Sequence, residues 1–419
     1  MGILNTNLLS ITENGRDAEF TLETAHINLS LKLRSTRRLK VLVLFGTRPE
    51  VVKLAPIIHQ LKLEKRDFQT IVVSSGQHAD LLNPFINLFR LKIDYALSVM
   101  RRNQTPSSIC AKILTLFDQV LKKENPDVVL VQGDTTTALA GAMAAFHRGI
   151  AVGHVEAGLR SGNAVSPFPE EMNRRLISQI ATFHFVATQL NYETLIDEGV
   201  NARQIFVTGN PVVDAVQTIL KKSVDKSEIN KLLRETQKLK RILLTTHRRE
   251  SFGKVMRENL RILQDFVAKR EDTAIFFPVH PNPAVKQAVQ TIFHKHPRIY
   301  LLNPLEYPDF IRLMANSWMV VSDSGGVQEE APSLGKPLLI LRENTERPEA
   351  IMAGAAKLVG NNPQKLLRLL EENYANDDWA NSLKQIANPF GNGTAAAKIV
   401  EALSVNALPG FQTADHQNG

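Results

Sequence analysis

From Lys40 onward, short apolar, β-branched runs alternate with amphipathic stretches of ten or more residues. Runs this short have the length of strands buried on both faces, and the apolar spacing between them is that of helices laid against a sheet. The alternation predicts βαβ units and parallel sheets. Strands are expected at residues 41–45, 70–74, 127–131, 152–155, 183–187 and 205–207. A second set follows the charged stretch from Lys221 to Arg241, at residues 242–245, 274–279, 299–302, 319–322 and 338–341. Two such sets predict two doubly wound α/β domains, with ligands at the carboxyl ends of the strands and the cleft between domains as the default site. No repeat of solenoid period and no low-complexity tract interrupts the pattern. A Pro- and Gly-containing stretch, Asn388 to Gly393, precedes one last helical segment.

Composition narrows the class. The chain has 419 residues, 43% hydrophobic and 22% charged, which suits two or three soluble globular domains and excludes disordered or fibrous types. A net charge of +8 suits an anionic ligand without naming one. The single cysteine, Cys110, rules out an intrachain disulfide, so a reducing, cytoplasmic setting is expected. No apolar run reaches the length of a membrane span. The first 37 residues are polar, lack a signal-peptide pattern and read as an extension or tag, although Met1-Gly2-Ile3-Leu4-Asn5-Thr6 formally fits a myristoylation pattern.

Chemistry is expected where strands give way to loops. In Phe45-Gly46-Thr47-Arg48-Pro49-Glu50, Pro49 suits the first position of a helix, with Arg48 at its mouth and Lys53 one turn in. Gly46, the helix N-terminus and two cations make an anion site. The segment is neither a Walker A sequence nor a GxGxxG fingerprint. Gln132-Gly133-Asp134-Thr135-Thr136-Thr137 ends the next strand, and Asp134 is either a functional carboxylate or a helix N-cap. The following strand delivers Glu156 to the same rim. Pro167-Phe168-Pro169-Glu170-Glu171-Met172-Asn173-Arg174-Arg175 then opens a helix on which Glu170 and Arg174 lie four apart, spaced for a salt bridge. Three acids brought separately to one cleft suit general acid and base work, which needs carboxyls in different environments.

In the second half, His247 and His280 both sit at strand ends, in Thr245-Thr246-His247-Arg248-Arg249-Glu250 and Val279-His280-Pro281-Asn282-Pro283. No metal-binding spacing accompanies them, so hydrogen bonds to a diphosphate fit them better than a metal does. Ser322-Asp323-Ser324-Gly325-Gly326-Val327-Gln328-Glu329-Glu330 opens a helix that a phosphate could approach, with Glu330 placed to reach a ribose. The G-x-S-x-G elbow of a serine nucleophile is absent. Thr345-Glu346-Arg347-Pro348-Glu349 adds a loop cation, and Cys110 reads as core.

The ordered blocks FGTRPEVVKLAP, GDTTTALA, GHVEAGLRSG, PFPEEMNRR, THRRESFG, VHPNP, SDSGGVQEEAPSLGKP and TERPEA resemble the non-hydrolysing UDP-N-acetylglucosamine 2-epimerases, over roughly Lys40 to Leu403. The resemblance implies the GT-B fold, with two Rossmann-like domains around a nucleotide-sugar cleft and a C-terminal helix packed back on the first. The domains would then be residues 38–208 with 390–405, and 209–389, flanked by an extension at 1–37 and a tail at 406–419.

It also implies reversible epimerisation at carbon 2 of UDP-N-acetylglucosamine, by elimination of UDP to a 2-acetamidoglucal and re-addition. The product, UDP-N-acetylmannosamine, would supply cell-surface polysaccharide synthesis. By position in the motifs, Asp134, Glu156 and Glu170 resemble the family's catalytic acids, with Lys53 and Arg174 beside them and His247 near the diphosphate. Arg48, His280, Ser324, Gly325, Gly326, Glu330 and Arg347 would hold the UDP. No metal or redox cofactor, nucleic acid or membrane is implied, and the family is typically dimeric. The alternatives are a hydrolysing 2-epimerase that releases N-acetylmannosamine and UDP, a GT-B glycosyltransferase, or a nucleotide-sugar sensor without turnover. Around Gly76-Gln77-His78-Ala79-Asp80, where bacterial members bind a second, activating UDP-N-acetylglucosamine, Ala79 and Asp80 replace the usual long polar side chains, which weighs against such activation.

Overall fold

The computed structural model describes residues 9–14, 17–24, 27–33, 37–77, 79–100, 104–221, 227–246, 253–293, 296–376, 378–383 and 385–406. Strands β1 (Leu9–Asn14), β2 (Asp17–Thr24) and β3 (Ile27–Leu33) form an antiparallel meander within what the sequence pattern presents as a polar extension. The remaining strands form two parallel sheets. The first contains β4 (Leu39–Phe45), β5 (Phe68–Ser74), β6 (Tyr95–Ala96), β7 (Val128–Gln132), β8 (Ala151–Ala157), β9 (Phe183–Val186) and β10 (Ile205–Val207), in the order β10-β9-β8-β7-β4-β5-β6. The second contains β11 (Lys240–Thr245), β12 (Thr273–Pro278), β13 (Ile299–Leu302), β14 (Met319–Ser322), β15 (Leu338–Ile340) and β16 (Ala356–Leu358), in the order β13-β12-β11-β14-β15-β16. Every strand anticipated from the apolar runs is present; β6 and β16, of two and three residues, were too short to produce a pattern.

The helices of the first lobe are α1 (Arg48–Leu63), α2 (Ala79–Leu88), α3 (Pro106–Glu124), α4 (Thr136–His147), α5 (Glu170–Ile180) and α6 (Gln189–Asp197), and α7 (Pro211–Lys221) joins the two lobes. The second lobe carries α8 (Glu228–Glu235), α9 (Lys254–Ala268), α10 (Pro283–Ile292), α11 (Tyr307–Ala315), α12 (Val327–Ser333), α13 (Pro348–Met352), α14 (Pro363–Ala375) and α15 (Asp378–Ser382), and α16 (Ala395–Asn406) closes the chain.

Successive side chains of a strand point to opposite faces, so each central strand feeds two cores. In β4, Leu42 and Leu44 pack with Ile113 and Phe117 of α3 and the alanines of α4. Val41, Val43 and Phe45 face the other way, onto α1, α7 and α16. That second cluster runs on without a break into the second lobe, reaching Leu243 and Phe276, while Ile242 and Leu244 face α9 and α14. The lobes therefore share one apolar core, and α7 lies at their junction, packed against α1, α11 and α12. Helix α16 returns to α1 and α7, its first two backbone N–H groups (Ala395 and Ala396) donated to the Asp214 carboxylate of α7 at 3.3 and 3.1 Å. The last helix thus packs on α1 of the first lobe and on α7 at the junction.

In each sheet the chain reverses its direction of travel once, between β4 and β7 and between β11 and β14. Loops leaving such a pair diverge and open a crevice at the carboxyl end of the sheet. The loops concerned carry Gly46, Asp134, Ser324 and their neighbours.

Candidate active site

At the first switch point the chain turns from β4 into α1 through Gly46. A Cβ there would lie 2.3 Å from Ser75 Oγ and 2.5 Å from Thr137 Oγ1, so no larger residue fits without displacing both. Helix α1 begins at Arg48, one residue earlier than Pro49 alone suggests, because Thr47 is its N-cap. Glu50 bonds back to that cap. Its Oε2 accepts the Gly46 N–H at 3.0 Å, the Thr47 N–H at 2.7 Å and the Thr47 hydroxyl at 2.7 Å, while Oε1 accepts the Thr135 hydroxyl at 2.8 Å. Burial pushes this carboxyl up to about 7 against those bonds. Glu50 thus ties together the two loops that carry Lys53 and Asp134.

At the β7 end, Gly133 adopts φ +71° and Thr135 caps α4, its side chain accepting the Ala138 N–H at 3.0 Å. Asp134 is therefore not the cap. Its carboxylate pairs with Arg174 Nη2 at 3.0 Å, and Asn173 Nδ2 donates to the Asp134 carbonyl at 2.7 Å. Burial raises the Asp134 carboxyl above its usual range; Arg174 opposes this and the nearby Glu170 adds to it. Arg174 is 2% exposed. It does not form the ion pair with Glu170 that four-residue spacing suggests; it donates to the Glu170 backbone carbonyl at 3.3 Å and lies 3.7 Å from the Glu171 carboxylate. The side chain is drawn across the loop to Asp134, and Nη1 is left without a partner among the described residues.

Glu156 stands at a break in the β8 and β9 pairing. Val155 pairs with Phe185 and Ala157 with Val186, so Glu156 is skipped, and its φ of +65° lies in the left-handed region. Such a backbone costs on the order of 1–3 kcal/mol and persists only when its surroundings fix it. Here they do: Lys53 Nζ and Gln132 Nε2 donate to its two oxygens, and Asn210 Nδ2 donates to Oε1 at 3.2 Å. Two residues before, buried His154 hydrogen-bonds through Nε2 to the Gly133 carbonyl at 2.8 Å, and burial drives it down to about 3, so it is neutral.

The second lobe meets this edge directly. Lys53 Nζ lies 2.9 Å from Glu329 Oε2, and Arg347 Nε donates to Glu329 Oε1. Arg347 Nη1 also pairs with Glu346 at 3.1 Å, and Arg342 with Glu346 at 3.4 Å. Burial favours the neutral form of both Glu156 and Glu329, but with opposite outcomes: it prevails at Glu156, whereas Arg347 and Lys53 overcome it at Glu329 and hold that carboxyl low. Two buried carboxyls sharing one lysine are thereby split into a proton-holding member and an ionised one. Glu330 accepts from the Tyr307 hydroxyl at 2.8 Å and is pushed up to about 7 by burial.

The structure thus brings Lys53, Asp134, Glu156, Glu170, Arg174, Glu330 and Arg347 into one electrostatically linked cluster at the lobe junction. Ser324 and Gly325 are half-buried and Gly326 exposed, on the loop into α12, where the Ser324 N–H donates to Ser322 Oγ at 3.0 Å. Arg48 is exposed at the start of α1. His280 is exposed and accepts the Asn282 N–H at 3.3 Å. His247 and His78 lie outside the described residues, as do the side chains of Ala79 and Asp80. Cys110 is half-buried on α3 against the apolar core.

A family model described as UDP-N-acetylglucosamine 2-epimerase matches residues 61–404. The UDP-N-acetylglucosamine 2-epimerase of Bacillus subtilis is 42% identical over 367 residues, covering 88% of this chain and 95% of that protein. The chain belongs to the UDP-N-acetylglucosamine 2-epimerase family. The Escherichia coli K12 member is 40% identical over 375 residues, 88% of this chain and 100% of its own. Among solved structures, the Neisseria meningitidis UDP-GlcNAc 2-epimerase bound to UDP-GlcNAc is similar with a TM-score of 0.81 at 39% identity, covering 88% of this chain and 100% of that one. The two parallel-sheet lobes are those of the GT-B fold.

Four residues of this epimerase-family cluster were not singled out from sequence. Gln132, a polar residue ending the apolar run Val128-Val129-Leu130-Val131, carried a signal in its position. Asn210 and Glu50 carried none beyond lying next to a helix start. Glu329 stands beside Glu330, and only the docking of α12 decides which of two consecutive acids meets Lys53.

Proposed function

We propose that this chain interconverts UDP-N-acetylglucosamine and UDP-N-acetylmannosamine by elimination and re-addition of UDP, within cell-surface polysaccharide synthesis. The observation that carries the reading is the buried carboxyl set at the lobe junction, in which Glu156 holds a proton near neutrality beside the charged Lys53. A base from this set takes the proton at carbon 2 while the bond from carbon 1 to the UDP oxygen breaks, its electrons leaving with UDP and those of the C–H bond forming the new double bond. After the sugar presents its other face, a carboxyl returns a proton to carbon 2 and UDP re-adds at carbon 1. The charge growing on the departing diphosphate needs fixed donors. Arg174, with one buried nitrogen unengaged, is suited to this, and Arg48, His247, His280, Ser324, Gly325, Gly326 and Arg347 form the rest of the proposed UDP site. Asp134, Glu156 and Glu170 are the proposed catalytic acids, with Lys53 and Arg174 supporting them. Glu330, hydrogen-bonded to Tyr307, is proposed to meet the ribose.

We further propose residues 38–208 with 390–405, and 209–389, as the two domains, and a homodimer. Met172 and Leu176 support the dimer: four residues apart on α5 and 38% and 47% exposed, with Phe168, 71% exposed, in the loop just before the helix, they leave apolar surface that a second copy would cover. Among the described residues no helix is long and apolar enough to cross a membrane, and with the single cysteine this supports a cytoplasmic location.

Chromatography of the nucleotide sugars provides the test. Incubations started from either UDP-sugar are expected to reach the same final mixture, with no free N-acetylmannosamine. Accumulation of free N-acetylmannosamine and UDP would place the chain with the hydrolysing enzymes, and two unchanged sugars would favour an acceptor-dependent transferase.

A further inference from the structure

We propose that Glu329 is a positioning residue for the epimerisation, holding Lys53 of the first lobe against Glu156 and thereby setting when Glu156 can give up and recover its proton. The inference rests on the epimerase reading and deepens it. Glu329 is 1% exposed and meets two cations at once, Lys53 at 2.9 Å through Oε2 and Arg347 through Oε1. Among the described residues no other carboxylate joins a cation of one lobe to a cation of the other at this junction. The charged groups facing Glu156 are Lys53 from α1, Glu329 from α12 and Arg347 before α13, with neutral Gln132 and Asn210 completing its surroundings.

The division of labour follows from charge. Two carboxyls that share a site cannot both ionise freely, and the one with more cationic contacts ionises first. Glu329 has both Lys53 and Arg347, and Glu156 only Lys53 in direct contact. Glu329 therefore stays ionised, and its charge has two effects on its neighbour: it repels an ionised Glu156, and it takes a share of Lys53 that would otherwise settle wholly on Glu156. Both effects keep Glu156 basic enough to act. Because Glu329 lies on the second lobe, this setting exists only when the lobes are together at this junction.

The test is the pH dependence of turnover in the full-length enzyme for Glu329→Gln and Glu329→Asp. In the glutamine variant the rising acid limb of kcat is expected to move down by about one pH unit as the like charge is lost. Maximal kcat is expected to fall by about tenfold, because a Glu156 held by an undivided Lys53 is a weaker base, with KM little changed. The aspartate variant, whose charge is kept but withdrawn from Lys53, is expected to lie between glutamine and wild type on both measures, and it keeps the test open should the glutamine variant fold poorly. An active wild type with an acid limb unmoved in the folded variants, whatever happens to their melting temperatures, would reduce Glu329 to a structural role and overturn the inference alone. A wild type that makes no UDP-N-acetylmannosamine would overturn the epimerase reading as well.

Discussion

Glu156→Gln is expected to lower turnover by roughly 10²–10⁴-fold, the usual worth of a positioned proton-transfer group, while UDP binding stays within a few-fold. Glutamine keeps the size of the side chain; its Oε1 can still accept from Lys53 and Asn210, and its Nε2 can donate to the Gln132 amide oxygen once that amide turns over, so the skipped, left-handed position in β8 keeps its three partners. What it loses is the ability to take up and release a proton. Lys53 remains charged through Glu329, so the electrostatic field at the junction changes by one group only. Initial-rate kinetics with UDP-N-acetylglucosamine and calorimetric titration with UDP separate the two quantities. Near-wild-type turnover in this variant would remove Glu156 from the chemistry.

Lys53→Met is expected to be the most damaging change to stability, costing about 3–5 kcal/mol at neutral pH, because it leaves two buried carboxyls facing each other across the lobes. Lys53 is 6% exposed, and although burial works against its charge, Glu156 and Glu329 outweigh that and hold it protonated. Without it, Glu156 loses its only direct cationic contact and must be neutralised in the folded protein, its pKa moving further above the unfolded value, while Glu329 keeps Arg347. Groups raised in this way are tolerated below the unfolded pKa, where they are protonated in both states, and destabilise as pH rises through the folded one. Urea midpoints for the variant and the wild type should therefore approach each other near about pH 5 and separate toward about pH 8. A pH-independent difference would mean that packing, not charge, is what Lys53 contributes. Turnover should be lost as well, since Glu156 loses its ionic partner.

Much of this arrangement was legible along the chain because it rests on local pattern. Apolar runs such as Val128-Val129-Leu130-Val131 can be satisfied only as buried strands, and Gly46, Gly133 and the acids that follow strand ends fall at the switch points by the topology of any doubly wound sheet. What the pattern left open was decided by tertiary contact. Asp134 was as good an N-cap as Thr135 from sequence, and Arg174 is what draws it away. The spacing of Glu170 and Arg174 suggested a helical ion pair, yet Arg174 reaches Asp134 instead, because an arginine buried to 2% exposure takes the carboxylate that the β7 loop places over it. Glu329 was passed over for Glu330, a choice that helical geometry alone cannot make. Glu50 reads as an ordinary first-turn acid, and only its burial between two loops shows that it ties Gly46, Thr47 and Thr135 together.

Proton NMR of the full-length protein with UDP-N-acetylglucosamine in heavy water tests the central claim most directly, since it reports both the configuration of the sugar and the fate of the hydrogen at carbon 2. The expected result is UDP-N-acetylmannosamine carrying deuterium at carbon 2, with deuterium also entering the remaining UDP-N-acetylglucosamine, as removal and return of that proton by solvent-exchanging carboxyls requires. Epimerised product that keeps its original hydrogen at carbon 2 would contradict the account.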